Sequence, residues 1–299
     1  MAVEVHDERK KGAMNFSVII LSFNSEATIK QTLGSVLLVS DDIYVVDSYS
    51  TDATCNIVRD CGVEFIQHPF TNYAKQRNWA IESLPLKYGW ELHLDADERL
   101  SDKLINELLE LKSCEDSPGV NGYCIPRLVH FKGRALRHGG MFPIWHMRLF
   151  RRGSGRCEER EYDQHFIVDQ PTAKLHGWFV DDIRMPLSEW INRHNRWSDA
   201  EVRELLGNSS ERGVRASLRG NPIEQKRYFK NLYGRMPPLY RAWLLFFYRY
   251  VLRAGFLDGK EGLIFFFLQT LWFRLLIDAK LFEAQKKDSI KLQTVRTEI

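Results

Sequence analysis

Two aspartates spaced one residue apart, Asp95 and Asp97, are the side chains of this sequence best suited to chemistry. They end an apolar run that starts at Trp90, a pattern that predicts a buried strand followed by two carboxylates. Open α/β sheets bind ligands beyond the carboxyl ends of their strands, and Mg²⁺ and Mn²⁺ favour carboxylates that leave coordination positions for phosphate oxygens. The pair therefore indicates a divalent-metal site, with a solvated acidic loop as the alternative.

The elements that would position this pair alternate between strands and helices. Short apolar runs predict strands at residues 16–22, 43–47, 63–67, 90–94, 122–131 and 145–150. Helices are predicted to open at Ser25 and at Asp52 and to cover residues 73–84, between the first four strands. This alternation favours a parallel sheet with right-handed crossovers, and the later strands indicate a mixed sheet in the second half.

The composition sets broad limits on the function. The chain has 299 residues, a formal net charge of +3 and 44% hydrophobic residues, which suits one large α/β domain with an appendage rather than whole-chain binding of a polyanion. Its five cysteines are an odd number without paired metal-ligand spacing, so a reducing compartment fits best. The first 15 residues are polar and contain no apolar signal-peptide core, so we expect the catalytic part in the cytoplasm.

Several motifs occur in one order along the first two thirds of the chain. They are Ile-Leu-Ser-Phe-Asn-Ser-Glu at 20–26, Asp-Ser-Tyr-Ser-Thr-Asp at 47–52, Tyr-Ala-Lys-Gln-Arg-Asn at 73–78, Asp-Ala-Asp at 95–97 and Tyr-Asp-Gln-His-Phe at 162–166. Over about residues 16 to 200 the sequence resembles the family 2 inverting glycosyltransferases of the GT-A fold. Within that family it is similar to bacterial enzymes of lipopolysaccharide-core and exopolysaccharide assembly. The resemblance implies a Rossmann-like mixed sheet flanked by helices.

The resemblance implies a set of residues that contact the nucleotide of the donor. They are Ser22, Asn24, Glu26, Asp47, Lys75, Asn78 and Asp95. Three of them also have a local alternative: Asp47 as a turn residue, Glu26 as an acid in the first turn of a helix, and Lys75 on a solvated helix face. Asp52 suits the N-cap of its helix better than a ligand contact.

The resemblance also assigns the metal. Asp97 would hold Mg²⁺ or Mn²⁺, which bridges two phosphates and neutralises the leaving diphosphate. His176 is a further candidate metal ligand, with a structural or surface histidine as the alternative. The residues Glu98 and Arg99 would orient the carboxylate or begin the next helix.

Inversion by single displacement needs a base on the acceptor side. Asp163 is the candidate implied by the resemblance, and Glu158, Glu159 and Glu161 remain alternatives, as does a solvated charged loop. Arg196 and Trp197 are acceptor-side candidates, although Trp197 also suits a core position. Processive relatives carry glutamine where this chain has Arg193, so polymer synthesis is not inferred.

The C-terminal third mixes arginines with aromatic residues and then becomes almost wholly apolar over residues 262–277. An interfacial or re-entrant helix at a membrane is favoured over a spanning one, because the stretch is short and contains Gln269 and Arg274. A packed helical subdomain is the alternative, and the region is too apolar for nucleic-acid binding. The expected organisation is a flexible N-terminus (1–15), a catalytic domain (16–206), a linker or mobile segment (207–236), a helical membrane-associated region (237–285) and a polar tail (286–299).

Together these features predict a metal-dependent inverting glycosyltransferase at the cytoplasmic face of the inner membrane. Its donor would be a nucleoside diphosphate sugar, such as a UDP-sugar, and its acceptor lipid-linked or part of a lipopolysaccharide or exopolysaccharide. A catalytically silent nucleotide-sugar-binding scaffold protein is one alternative. A nucleotidyltransferase is another, but it usually has a glycine-rich phosphate loop after its first strand, and residues 22–25 contain no glycine.

Overall fold

The computed structural model describes residues 14–113, 119–160, 163–207 and 214–297, with side chains described as far as residue 286. The strands are β1 Phe16–Ser22, β2 Ile43–Asp47, β3 Glu64–Gln67, β4 Trp90–Asp95, β5 Glu98–Leu100, β6 Gly122–Phe131, β7 Arg134–Ala135, β8 Ile144–Arg151, β9 Gly155–Cys157, β10 Phe166–Val168, β11 Thr172–Lys174 and β12 Phe179–Ile183. The α-helices are α1 Ile29–Val36, α2 Thr54–Asp60, α3 Tyr73–Ser83, α4 Asp102–Ser113, α5 Leu187–Leu206, α6 Pro222–Gly234, α7 Tyr240–Phe247, α8 Gly259–Phe266 and α9 Phe273–Thr297. The π-helices Tyr248–Leu252 and Phe267–Trp272 and the 3₁₀-helix Gly255–Asp258 connect the last three.

Ten of the described strands form one mixed sheet, whose main order is β3-β2-β1-β4-β8-β6-β12-β5. Strands β3, β2, β1 and β4 are parallel, while β8 runs antiparallel to both of its neighbours, β4 and β6. Strand β12 is parallel to β6. The carboxyl ends of β1, β2, β4, β6 and β12 therefore meet at one edge of the sheet, where open α/β sheets bind ligands.

The sheet is curled, as its connectivity requires. Strand β5 begins at Glu98, three residues after β4 ends at Asp95, but it pairs with β12 at the far end of the order. Three peptide steps span at most about 11 Å, whereas four strand spacings in a flat sheet amount to about 19 Å. The curl brings the segment Asp95–Glu98 across the carboxyl edge of the central strands.

Alternate residues of β1 pack into two different layers, as expected for a strand that is buried on both faces. Val18 and Ile20 belong to the larger core with α1 and α4. Ile19 and Leu21 face α3 through a second cluster that includes Ala80. Helices therefore cover both faces of the sheet, which confirms the expected α/β architecture and the mixed second half.

Two sequence predictions of local structure need correction. Glu98 and Arg99 do not begin a helix: they form β5, and α4 starts only at Asp102. The predicted linker, 207–236, contains the 13-residue helix α6, which begins with a capping box formed by Asn221 and Glu224. Ile223 of this helix packs into the core cluster of Phe150, so this part of the segment belongs to the folded body. Residues 208–213 of the segment, the first 13 residues and the end of the tail lie outside the described residues.

The C-terminal helices are anchored by a buried ion pair. The Arg241 Nε of α7 donates to Oδ1 of Asp278 of α9 at 3.0 Å, and the same carboxylate accepts the backbone N–H of Leu239 at 2.7 Å. The side chains of Arg241 and Asp278 are only 8% and 1% exposed. The predicted helical C-terminal region is therefore confirmed, and it folds back on itself.

Removing one partner of this pair should destabilise the protein strongly, because a buried charge would be left unpaired. We expect Asp278→Ala to lower the free energy of unfolding by about 3–5 kcal/mol, measured by urea denaturation. Asp199→Ala is the matched control, since Asp199 pairs with Lys280 of the same helix while its side chain stays 48% exposed. The control should lose less than about 1 kcal/mol, and equal losses would contradict the anchoring role.

Candidate active site

The turn after β4 is held in place by neighbouring elements. The Ala96 N–H donates to the carbonyl oxygen of Leu21 in β1 at 3.0 Å, and the Thr32 hydroxyl of α1 donates to the Ala96 carbonyl oxygen at 2.9 Å. Asp95 and Asp97 flank this residue, so their carboxylates are fixed at the carboxyl edge of the sheet. The predicted position of the acidic pair is confirmed.

Asp95 is paired with two arginines from different elements. The Arg77 Nη2 of α3 donates to both of its carboxylate oxygens, at 2.9 and 3.1 Å, and the Arg148 Nη2 of β8 lies 3.4 Å from Oδ2. Burial by itself would raise the pKa of Asp95, but Arg77 and Arg148 outweigh it and lower that pKa to about 2. Asp95 is therefore a fixed anion at the centre of the site.

Three further carboxylates crowd the same space. Burial, together with the charges of Asp181 and Asp95, raises the pKa of Asp97 to about 7, and Arg193 offsets this only in part. Burial also raises the pKa of Glu98 to about 8, against the opposing effect of Arg148, whose Nη2 donates to Oε1 at 2.5 Å. The pKa of Asp181 is raised for the same reason, burial. A divalent cation would relieve this mutual repulsion.

These carboxylates suit a hard cation that takes its remaining ligands from a substrate. Among the described residues, no group of three or more His, Cys, Asp and Glu side chains is arranged to hold a metal ion. Mg²⁺-type sites commonly use one or two carboxylates and complete their coordination with phosphate and water oxygens. Asp97 with Asp181 beside it suits such an open site better than a closed structural one.

The structure does not bring His176 to this position. It is exposed and lies before the amino end of β12, where its backbone N–H donates to the Glu107 carboxylate of α4 at 2.9 Å. Asp97 contacts the opposite end of that strand, through the hydrogen bond from the Asp182 N–H to its carbonyl oxygen at 3.1 Å. We therefore assign His176 to the surface beside α4.

Asp47 is fully buried at the end of β2, and its carboxylate is used within the protein. It accepts hydrogen bonds from the Ser22 hydroxyl at 2.8 Å, the Ser50 hydroxyl at 2.5 Å and the Ser50 N–H at 2.7 Å. Ser22 and Asp47 thus build the loop that follows β2. This local role corresponds to the turn-residue alternative.

Asn24 and Glu26 join the loops after β1 and β2. The Asn24 Oδ1 accepts the Thr51 N–H at 2.8 Å, and the Glu26 Oε2 accepts the Ala53 N–H at 2.9 Å. The predicted N-cap role of Asp52 needs correction, because the N-cap of α2 is Ala53. Asp52 precedes it and accepts the Thr54 N–H of the first turn at 3.0 Å. These bonds create a polar shelf at the carboxyl ends of β1 and β2, and nucleotide contact by its residues stays a prediction.

The two residues of α3 that were predicted to contact the donor, Lys75 and Asn78, make other contacts in the structure. The Lys75 side chain is exposed, and its backbone N–H is capped by Asn72 Oδ1 at 2.8 Å. The Asn78 amide donates to the Cys157 carbonyl oxygen at 3.0 Å and accepts the Cys157 N–H at 2.7 Å. Asn78 therefore positions β9, and Arg77 between them is the residue of α3 that reaches the acidic centre.

Asp163 lies in a loop next to α6, with a left-handed backbone conformation of φ 55°. Its carboxylate oxygens are 3.4 Å from Lys226 Nζ and 3.1 Å from Lys230 Nζ, and His165 Nε2 lies 3.8 Å away. Burial would raise the pKa of Asp163, but Lys226, Lys230 and His165 hold it well below its ordinary range. Asp163 is thus an ionised carboxylate held by the α6 lysines.

The other candidate bases differ in burial and in hydrogen bonding. Glu158 is fully buried and accepts hydrogen bonds from the Arg227 Nη2 at 2.6 Å and from the His165 N–H at 2.9 Å, which suits a structural anchor. Glu159 is exposed. Glu161, with the neighbouring Tyr162 of the motif, lies outside the described residues.

On α5, the side chain that faces the acidic centre is Arg193. It lies close enough to oppose the raised pKa values of both Asp97 and Asp181, and its buried Nε has no hydrogen-bond partner in the described structure. Arg196 is exposed, and Trp197 packs against a cluster of α5 and α9 that includes Phe273. Arg193 is therefore the residue of α5 that reaches the acidic centre, while an acceptor contact by Arg196 stays a prediction and Trp197 takes the alternative core position.

Arg77, Arg148 and Arg193 lie at the acidic centre, and none of them is among the site residues predicted from the sequence. Arg77 sits inside one of the motifs, but its orientation depends on how α3 packs on the sheet. Arg148 is an ordinary β-strand residue in the sequence, and only the pairing of β8 with β4 brings it to Asp95. The sole sequence signal for Arg193 was its replacement of glutamine in a known motif.

Crowding of the carboxylates predicts a pH-dependent cation affinity. Below pH 7 a proton occupies Asp97, whose pKa is about 7, so a cation must displace it. We expect the affinity for Mn²⁺ to fall about tenfold per pH unit below this value and to level off above it. Calorimetry from about pH 5.5 to about pH 8.5 tests this. An affinity that does not change over this range would contradict cation binding at Asp97.

Comparison with known proteins finds glycosyltransferases among the relatives of this chain. Residues 17–163 match the model of glycosyl transferase family 2. The lipopolysaccharide core biosynthesis glycosyltransferase LpsC of Rhizobium meliloti is 28% identical over 260 residues, which cover 84% of this chain and 89% of that protein. An uncharacterized glycosyltransferase of Rickettsia typhi is 33% identical over 117 residues, or 39% of each chain.

Solved structures with a similar arrangement include two bacterial proteins. Glucosyl-3-phosphoglycerate synthase of Mycobacterium tuberculosis, in complex with Mn²⁺, UDP and glucosyl-3-phosphoglycerate, has a TM-score of 0.31 and 17% identity over 39% of this chain and 44% of its own. Staphylococcus aureus TarS has a TM-score of 0.34 and 16% identity over 67% of this chain and 41% of its own.

Proposed function

We propose that this chain, which belongs to glycosyltransferase family 2, transfers a sugar with inversion from a nucleoside diphosphate sugar, such as a UDP-sugar, to a lipid-linked or lipopolysaccharide acceptor. One observation carries this proposal: Asp95, Asp97, Glu98 and Asp181 are crowded at the carboxyl edge of the sheet, where the pKa of Asp97 is raised to about 7. Such crowding suits a divalent cation with a diphosphate beside it.

Asp97, with Asp181 next to it, would hold Mg²⁺ or Mn²⁺. When bound, the cation neutralises the diphosphate and stabilises it as a leaving group. The polar shelf after β1 and β2 lies on one side of Asp95 in the sheet, and the ends of β6 and β12 lie on the other. The nucleotide would therefore lie on the β1–β2 side and the acceptor on the β6–β12 side.

The arginines around the acidic centre would orient the charged donor. Arg77 and Arg148 fix Asp95, so its carboxylate points in one direction towards the edge. Arg193 approaches from α5 with its buried Nε unpaired, and a phosphate oxygen would satisfy that donor.

Asp163 is the proposed base that takes the proton from the acceptor hydroxyl. Its low pKa keeps it ionised at physiological pH, because Lys226 and Lys230 stabilise the charge. The same lysines reduce its proton affinity, so an acceptor that separates Lys226 from Asp163 would strengthen the base. Inversion requires this carboxylate on the face opposite the leaving diphosphate.

Transfer and donor binding should both depend on Asp97. We expect wild-type protein to bind one of UDP, GDP, CDP and dTDP in a Mn²⁺-dependent manner and Asp97→Asn to lose this dependence, since the amide cannot neutralise the cation. Asp60→Asn, at the end of α2, is the control and should bind normally. Calorimetry names the donor class, and product analysis of the matching nucleotide sugar then tests the function. Release of pyrophosphate would instead identify a nucleotidyltransferase, and binding without turnover a scaffold protein.

Variants of three carboxylates test which residue is the base. Asp163→Asn should keep Mn²⁺-dependent nucleotide binding while the rate of transfer falls by about 10²–10⁴-fold. Glu159→Gln, which changes an exposed neighbour, should transfer at nearly the wild-type rate. Glu158→Gln should mainly reduce stability, because Arg227 would lose its buried partner. Full activity of Asp163→Asn in steady-state kinetics would show that the base is another residue.

We further propose that the C-terminal helices attach the protein to a membrane surface, on the cytoplasmic face of the inner membrane. Many large apolar side chains of residues 239–267 are about half exposed or more, among them Trp243 at 58%, Phe247 at 52% and Leu252 at 65%. Exposed apolar patches of this extent mark interaction sites. The aromatic side chains and the exposed cations Arg253 and Lys260 suit a bilayer with anionic lipids.

Interfacial attachment is favoured over spanning. In the described part of the chain, the stretch Gly255–Lys286 is long and apolar enough to cross a bilayer by length and composition, with a mean hydropathy of 1.5 in its most apolar window. However, 44% of that window is buried inside the protein, and Arg274 contacts Glu201 of α5 at 3.3 Å. A helix that packs on the catalytic domain in this way lies beside the bilayer rather than across it.

Membrane attachment should depend on the exposed aromatic face. We expect Trp243→Glu combined with Phe247→Glu to reduce binding to lipid vesicles by at least about tenfold, because each apolar side chain contributes about 1.5–3 kcal/mol on burial. Leu109→Glu is the control, since Leu109 is 41% exposed on α4, far along the chain from these helices. Vesicle flotation measures the bound fraction. Equal binding of all three proteins would exclude this face as the membrane contact.

A further inference from the structure

A basic cavity of about 580 Å³ opens at the ends of β6 and β12, and its lining includes Arg99, Lys132, Asp182, Ile183 and Arg184. It is separate from the acidic centre, although the two are neighbours. Side chains alternate between the faces of a strand, so Asp181 faces Asp97 while Asp182 faces this cavity. The hydrogen bond from the Asp182 N–H to the Asp97 carbonyl oxygen joins the two sites at 3.1 Å.

The positive charge of the cavity is only partly compensated. Arg99 Nη1 and Arg184 Nε share a single carboxylate oxygen, Asp182 Oδ2, at 3.2 and 2.8 Å. Lys132 Nζ donates to the neutral carbonyl oxygen of Met185 at 2.7 Å. Three cations therefore face one carboxylate within the lining, which leaves two positive charges for a ligand. Guanidinium and ammonium groups in this arrangement suit a phosphate or carboxylate.

The position of the cavity indicates which anion it receives. It lies on the β6–β12 side of Asp95, which is the acceptor side of the site in the proposed function. Its wall residue Ile183 packs against a cluster of Phe131, Phe265 and Phe266 that joins the sheet to α8. The cavity therefore lies between the catalytic edge and the helices proposed to contact the bilayer.

The cavity and these helices are also tied together through the loop after β7. Asp258, only 2% exposed, accepts the N–H groups of Arg137 and His138 at 3.2 and 3.0 Å, and the Gly139 N–H donates to the Arg253 carbonyl oxygen at 2.9 Å. Gly139 has φ +63°, and a Cβ atom there would lie 2.1 Å from the Phe266 ring. The close contact fixes the distance between the membrane-facing helices and the end of the sheet.

We propose that this cavity binds the phosphate or carboxylate headgroup of a membrane amphiphile while the C-terminal helices lie on the bilayer. This inference rests on the proposed membrane attachment, and it adds a specific headgroup site to it. The headgroup is that of an anionic lipid in the bilayer, and the cations of the cavity bind it. Apolar contact and headgroup binding then together orient the catalytic edge towards the membrane.

The test compares vesicles of phosphatidylcholine with vesicles that also contain phosphatidic acid, in flotation assays. The double variant Lys132→Gln/Arg184→Gln removes two cations, and Lys103→Gln on α4 is an exposed control. We expect wild type to prefer the anionic vesicles and the double variant to lose about 25-fold of that preference, about fivefold per cation. Its binding to phosphatidylcholine alone and its Mn²⁺-dependent nucleotide binding should not change.

Each other outcome has a distinct meaning. A loss in the double variant no greater than in Lys103→Gln would overturn the headgroup site and leave general surface charge as the cause. Equal binding of wild type to both vesicle types would overturn it as well, while the proposed membrane attachment would stand. No binding to either vesicle would reject the attachment and the headgroup site together. Calorimetric binding of inorganic phosphate that the double variant loses, combined with equal binding of wild type to both vesicle types, would assign the cavity to a free anion instead.

Discussion

Mutual repulsion of carboxylates at the carboxyl edge of the sheet is the constraint on which the rest of the structure depends. Asp95 remains ionised because Arg77 of α3 and Arg148 of β8 both reach its carboxylate, while Asp97 and Asp181 retain raised pKa values in the same space. The curled sheet produces this arrangement, since it forces the turn after β4 across the ends of the central strands. A site assembled in this way is prepared for positive charge, and a cation with a diphosphate supplies the matching chemistry.

The C-terminal helices complete the catalytic domain as well as extending it. Helix α6 supplies the lysines that hold Asp163 and the arginine that holds Glu158, so the acceptor side depends on residues more than 60 positions away in the chain. The helices α7 to α9 are fixed to each other by the Arg241–Asp278 pair and to the sheet by Asp258. Helix α6 therefore shapes the proposed acceptor side, while α7 to α9 present the apolar face of the proposed membrane contact.

The alternation of strands and helices and the location of the acidic pair could be predicted from the sequence, because both follow from local periodicity. The roles of individual polar residues could not. Asp47 and Asn78 belong to motifs, yet their side chains bond within the protein to Ser50 and Cys157, and only the packed structure decides this. For the same reason the sequence predicts a linker where α6 forms. The composition of this helix is polar, and the contacts of Ile223 and Arg227 that hold it are long-range.

The most direct test of the central claim is to locate Mn²⁺ by anomalous diffraction from crystals grown with the nucleoside diphosphate that binds. An anomalous peak within bonding distance of the Asp97 carboxylate, with the diphosphate oxygens on its far side, is the predicted result. A peak elsewhere, or an ordered diphosphate held by side chains alone with no metal at Asp97, would contradict the account. In either case the map would also show whether Arg193 contacts the diphosphate.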